Sequence, residues 1–208
     1  MSGGLAQRMP ALGARLSAWL LGASLCACIA GPAPRDHFYR VEVATPAAGD
    51  TRLPGTLEVE RFSSDGTLRD RGMLKSTSAS PEVTPYAYHR WVDSPTLLLQ
   101  RELADYLRAA AVADRVVTPD AGASEDWQVS GYLRRLDFML DGAPRVRFEI
   151  ELRMRHRVGD DLLAQQIYTA ESAADDVSPE AAARAFSVAI GEVFAEFTRD
   201  LRGAAAAH

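Results

Sequence analysis

Cysteine is almost missing from this chain of 208 residues: there are two, Cys26 and Cys28, both close to the start. From Ile29 onward there is none, which excludes a disulfide, a cysteine nucleophile and a cysteine-ligated zinc from the body of the protein. Histidine is scarce as well. Four residues, His37, His89, His156 and His208, are scattered and form no HExxH pair. There is no GxSxG, no P-loop and no GxGxxG. Asp160-Asp161 reads as a turn and Asp175-Asp176 as the approach to a helix cap, so both carboxylate pairs read as solvated. No catalytic residue, metal ligand or cofactor is assigned. Positive charge is in the minority, with 23 Lys and Arg against 28 Asp and Glu for a net charge of −5. That balance argues against nucleic acid as a partner.

What is present begins with an export pattern. Arg8 and Arg15 are the only charges in the first fifteen residues, and Leu16 to Leu25 (LSAWLLGASL) follows as an apolar run. The run is too short for a membrane span, which needs about 20 apolar residues, and reads as the core of a signal peptide. Leu25-Cys26-Ala27-Cys28 comes next and resembles the lipobox of bacterial lipoproteins. Cys28 is the better acceptor, because bulky Leu25 would precede a cleavage at Cys26. The resemblance implies a signal peptide over residues 1–27, cleavage before Cys28, and lipidation of that cysteine with palmitate-type chains. Several chains together would anchor firmly where one cannot. The alternative is an ordinary secretory peptide with two incidental cysteines. Ile29 occupies the place where an Asp would signal inner-membrane retention, so the expected home is the outer membrane, facing the periplasm. Residues 28–36 contain Gly31, Pro32 and Pro34 and read as a tether.

Residues 37–202 then read as one domain, with 203–208 as a disordered tail. Phe38 to Ala44 and Gly55 to Phe62 alternate as strands do, Leu68 to Leu74 is a weaker strand, and Ser76 to Pro85 reads as a polar loop. Tyr86 to Trp91 returns to a strand-like composition. Ser94-Pro95 opens a helix to about Ala113, with Leu99, Leu103, Tyr106, Leu107 and Ala110 inward and Gln100, Arg101, Asp105 and Arg108 toward water. A short strand is expected at Arg115 to Thr118. Trp127 to Leu140 is a strand whose alternation slips between Leu133 and Leu136, which signals a bulge. Asp141-Gly142 turns the chain, and another strand follows near Leu162 to Ala170. Ser178-Pro179 opens the last helix, with an apolar stripe of Ala182, Phe186, Ala189, Ile190, Val193, Phe194, Phe197 and Leu201. These elements predict an α+β two-layer sandwich: an antiparallel or mixed sheet with two amphipathic helices on one face.

The stretch from Arg145 to Arg157 alternates strictly. Val146, Phe148, Ile150, Leu152, Met154 and His156 fall on one side; Arg147, Glu149, Glu151, Arg153, Arg155 and Arg157 fall on the other. Such a strand has one covered face and one wet face. The wet face is either a solvated surface, whose ion pairs contribute about 0–1 kcal/mol each, or a docking surface in which Arg147, Arg153 and Arg155 meet a partner. Glutamates interrupting the arginines argue against a membrane-surface role for this strand.

Tyr86-Ala87-Tyr88-His89-Arg90-Trp91 leads through Asp93-Ser94-Pro95 into Leu97-Leu98-Leu99 and Leu103. This run, with Phe38-Tyr39-Arg40-Val41 shortly after the lipobox, resembles the ABC-type transport auxiliary lipoproteins, the PqiC-like group. The resemblance covers roughly residues 36–201 and departs at Gly72-Met73-Leu74-Lys75, where the family has an aromatic-Arg strand. It implies a protein that is no enzyme: a lipoprotein subunit of a system that moves phospholipids or other lipids between membranes. The implied partners are an ABC permease and ATPase and an MCE-domain protein, with a homo-oligomeric ring among the forms to expect. Tyr86, Tyr88 and Trp91 are then either sheet–helix packing or a surface for lipid or partner. The alternative function is an envelope-assembly or peptidoglycan-synthase accessory lipoprotein of similar fold.

Overall fold

A computed structural model describes residues 33–50, 52–157, 159 and 161–207. The signal segment and Cys28 lie outside the described residues.

The strands are β1 (His37–Tyr39), β2 (Leu53–Val59), β3 (Ser63–Ser64), β4 (Gly72–Thr77), β5 (Ser80–Trp91), β6 (Ala113–Val117), β7 (Trp127–Met139), β8 (Arg145–His156) and β9 (Asp161–Ala173). The helices are α1 (Pro95–Ala109) and α2 (Pro179–Ala207). All strands belong to one mixed sheet built around β7. On one side β7 pairs antiparallel with β8, and β8 pairs antiparallel with β9. On the other side β2, β3 and β4 follow one another along β7, all parallel to it. The sheet therefore forks. β6 extends β2 in parallel, whereas β5 pairs antiparallel with β4 and carries β1 on its far edge. The slipped alternation in β7 is a bulge: the register with β8 shifts between Leu133 and Arg135.

Both helices cover the face that presents Val146, Phe148, Ile150, Leu152 and Met154, all buried. Every member of the stripe expected on α2, from Ala182 to Leu201, is buried. Edge-on ring contacts lock the layers, Trp91 on Phe186 at 5.5 Å and Tyr168 on Phe197 at 5.7 Å between centroids.

Several expectations are corrected. Ser76 to Pro85 is no loop. It forms the end of a β4–β5 hairpin, and polar residues serve there because much of β5 before Tyr86 is exposed. The strand expected over Phe38 to Ala44 pairs only at His37–Tyr39 before the chain leaves the sheet edge. Around Leu68 the chain makes a single 3₁₀ turn, Gly66–Arg69, ahead of β4. Helix α1 ends at Ala109, and Ala111 takes φ 54° to swing the chain into β6. Gln100, expected in water, is only 3% exposed. Its Nε2 donates to the carbonyl of Val59 at 3.0 Å, which ties α1 to the end of β2. The expected tail also differs, since α2 runs through to Ala207 and alanine is the best helix former.

Candidate docking surface

The sheet face away from the helices has no covering layer among the described residues, and it holds the side chains singled out on β8. Register places Arg145, Arg147, Glu149, Glu151, Arg153 and Arg155 beside Met139, Asp137, Arg135, Tyr132, Ser130 and Gln128 of β7. On the other side they flank Glu171, Thr169, Ile167, Gln165 and Leu162 of β9.

These charges form a linked network. Glu151, 8% exposed, accepts from Arg153 Nη2 at 2.6 Å, from Gln165 Nε2 at 2.6 Å and from Arg134 Nη1 at 3.4 Å. The hydrogen bond from Arg153 is the main reason its carboxyl is held below the usual carboxylate range. Arg134 Nε also donates to Glu149 Oε1 at 2.9 Å. Arg134 is the residue inserted by the bulge, so the irregularity in β7 is what brings a guanidinium between two glutamates. Glu171 serves two arginines, Arg145 at 3.3 Å and Arg147 at 3.7 Å. Arg155 and Arg153 are exposed at the surface. Toward β4 and β5 the face dips into a groove of about 910 Å³, lined by Leu74, Val83, Met139, Arg135, Arg145 and Arg147 among others.

Exposed apolar side chains gather on the same face. Seven large ones are exposed among the described residues: Phe38, Val83, Tyr88, Leu162, Ile167, Val177 and Val188. Strand register puts the first five on the open face. Their positions were hard to pick from sequence, because single apolar residues on a wet face are common. Only the pairing reveals that they share one surface.

The aromatic run of β5 is split by the pleat. Trp91 is 1% exposed and belongs to the core against Phe186, so it is not a partner-binding residue. Tyr86 is half-buried, with Lys75 Nζ 4.9 Å from its ring centre and His89 at its edge. Tyr88 alone faces out, 44% exposed. His89 joins a chain of hydrogen bonds that sequence did not suggest. The Tyr39 hydroxyl donates to Glu180 Oε1 at 2.8 Å, which leaves its oxygen to accept from His89 Nδ1 at 2.7 Å. Burial, then the bond to Glu180, pushes the Tyr39 phenol well up. This chain ties β1 and β5 to the first turn of α2. His156 stacks on Trp127 at 4.3 Å, a rim position. Among the described residues no cluster of three or more His, Cys, Asp or Glu could hold a metal ion.

Among curated proteins none matches this chain. Solved structures share its fold. A crystallised DUF330-family protein from Xanthomonas campestris has a TM-score of 0.71 at 16% identity, covering 81% of this chain and 96% of its own. A second, uncharacterised protein has a TM-score of 0.61 at 15% identity, covering 81% of this chain and 99% of its own. At such identities the likeness is one of fold. The family model described as ABC-type transport auxiliary lipoprotein component matches residues 39–197, a span that takes in the β5-to-α1 run and the first part of α2. The chain therefore belongs to the ABC-type transport auxiliary lipoprotein family.

Proposed function

We propose that this protein is the outer-membrane lipoprotein subunit of an ABC- and MCE-type system that carries phospholipids or related lipids across the periplasm. It is held to the membrane by an acylated Cys28 and acts by docking rather than by chemistry. Family membership supports the transport half of this reading. The observation that carries docking is the open sheet face, where Arg147, Arg153 and Arg155 lie with exposed Leu162 and Ile167 while the other face is closed by two helices. Arginine beside apolar side chains is the composition favoured at interfaces. The partners are the MCE-domain protein and, through it, the permease and ATPase; copies of the lipoprotein arranged in a ring would present several such faces at once.

The test is affinity purification of the mature lipoprotein from native membranes. Co-recovery of an ABC permease, its ATPase and an MCE-domain protein is expected. Recovery of a peptidoglycan synthase or an envelope-assembly machine in their place would overturn the reading. Cys28→Ser is expected to accumulate as an uncleaved, unlipidated precursor; acyl chains found on Cys26 of the wild type would refute the anchor assignment.

A further inference from the structure

We infer that the Phe38–Tyr88 corner of the open face lies on the surface of the bilayer that holds the N-terminal lipid, with Arg71 and Arg90 toward its phosphates. The inference rests on Cys28 as the anchor.

The corner is built by β1. Its register sets Phe38 beside Arg90 and Tyr39 beside Trp91, so Tyr39 turns to the helix side and Phe38 to the open side. Tyr88, two residues before Arg90, shares that side. Phe38 is 52% exposed, the more so because its neighbours His37 and Tyr39 are engaged on the opposite side by His89 and Glu180. The Arg71 guanidinium stands 5.6 Å from the Phe38 ring centre, and its Nη1 donates to the Val92 carbonyl at 3.0 Å, which fixes the charge beside the ring. Arg90 pairs with Asp36, its Nε at 3.4 Å, and its side chain is 43% exposed, so a second guanidinium lies along the same edge. Two exposed rings with two guanidiniums at one edge match an interface where apolar chains meet anionic phosphates.

Chain length puts the membrane within reach of this corner. Phe38 follows Cys28 by ten residues. Fully extended, that segment reaches about 36 Å at most, less than the roughly 40 Å breadth of a domain of this size. Of the large apolar residues exposed among the described ones, Phe38 is the one nearest to Cys28 along the chain.

The experiment uses the mature lipoprotein purified from membranes and reconstituted in vesicles of phosphatidylethanolamine and phosphatidylglycerol. Phe38→Cys, Tyr88→Cys and, as a control on the outer side of α2, Val188→Cys are each labelled with an environment-sensitive fluorophore; acylation of Cys28 leaves no competing thiol. Labels at 38 and 88 are expected to shift to the blue and to be quenched several-fold more strongly by headgroup-nitroxide lipids than the label at 188. In labelled Tyr88→Cys, adding Arg71→Gln should lower the ratio of docked to undocked protein about fivefold, the share of one basic residue on an anionic leaflet, with the circular dichroism spectrum unchanged. Vesicles of phosphatidylcholine alone should produce a larger loss, since they remove the negative surface charge that both guanidiniums meet. Acylated protein whose labels at 38 and 88 are quenched no more than that at 188 overturns this inference alone. An intact mass with no acyl chain on Cys28 overturns the anchor reading and this inference with it.

Discussion

Arg153 and Glu151, two residues apart on β8, close on each other through two hydrogen bonds, from Nε at 2.9 Å and Nη2 at 2.6 Å to one carboxylate oxygen. The pairing makes Glu151 a structural residue on a face that is largely wet. Glu151→Gln should lower stability at neutral pH by about 1–2 kcal/mol, the range for hydrogen bonds to a charged group reduced by the exposure of Arg153. The pH dependence has a definite sign. A carboxyl held below its usual value of about 4.3 stabilises the fold above that pH and ceases to do so as pH falls through the depressed value. Urea melts of wild type and variant should therefore differ at neutral pH and converge in acid. A difference that persists or widens in acid would show that the carboxylate is not what stabilises this strand.

Gln100→Leu should also destabilise, by about 1–3 kcal/mol, because it removes the side-chain donor to the Val59 carbonyl in a buried site. The measurement is a denaturant midpoint at constant slope. A neutral substitution would mean that packing of α1, and not this bond, holds the helix to β2.

Gln100 marks where the sequence stopped being legible. Helical spacing put it on the polar side of α1, yet a free carbonyl at the end of β2 needed a donor, and a polar residue was buried to supply it. Strict alternation in β8 and the stripe of α2 were readable because each has one apolar face repeated over many residues. The slip in β7 was readable for the same reason. The β4–β5 hairpin was not, since Ser76 to Pro85 carries little apolar pattern and pairs through its backbone. Nor could alternation within one strand reveal that β2, β3 and β4 run parallel along β7. For the candidate surface, alternation within β8 alone was enough to put Arg147, Arg153 and Arg155 on one face. Leu162, Ile167 and Arg134 required the register of neighbouring strands, and the choice between packing and surface for Trp91 stayed open because its aromatic neighbours gave no sign of which way the pleat turned.

Phe194 is fully buried in the stripe of α2 and meets Tyr106 of α1 edge-on at 5.7 Å. Phe194→Ala should cost about 3–5 kcal/mol through lost burial and the cavity left behind. Ile190→Val, one turn earlier, should cost only about 0.5–1.5 kcal/mol. Thermal or urea melts of the two variants check the ranking; a Phe194→Ala protein as stable as wild type would mean that the two helices do not share this core.

The docking face needs a test that leaves the fold intact, and the Glu151 network decides which residues serve. Reversing Arg153 would set a glutamate against nearly buried Glu151, so a loss of binding could not be separated from a loss of stability. Leu162 and Ile167 are better placed, because both are exposed on the open face and neither belongs to the core. Leu162→Ser with Ile167→Ser should leave the melting profile within about 0.5 kcal/mol of wild type, as surface changes usually do. Across an interface the same pair removes two apolar side chains from the contact and leaves hydroxyls to be desolvated in their place. Recovery of the MCE-domain partner in copurification should then fall about tenfold or more, the effect of roughly 1.4 kcal/mol. Sedimentation of the purified lipoprotein reads self-association in the same variant, so a ring contact and a partner contact can be told apart. Full recovery of partner and of oligomer by a folded double variant would return this surface to an ordinary solvated sheet, with its arginines serving the glutamates beside them and nothing else.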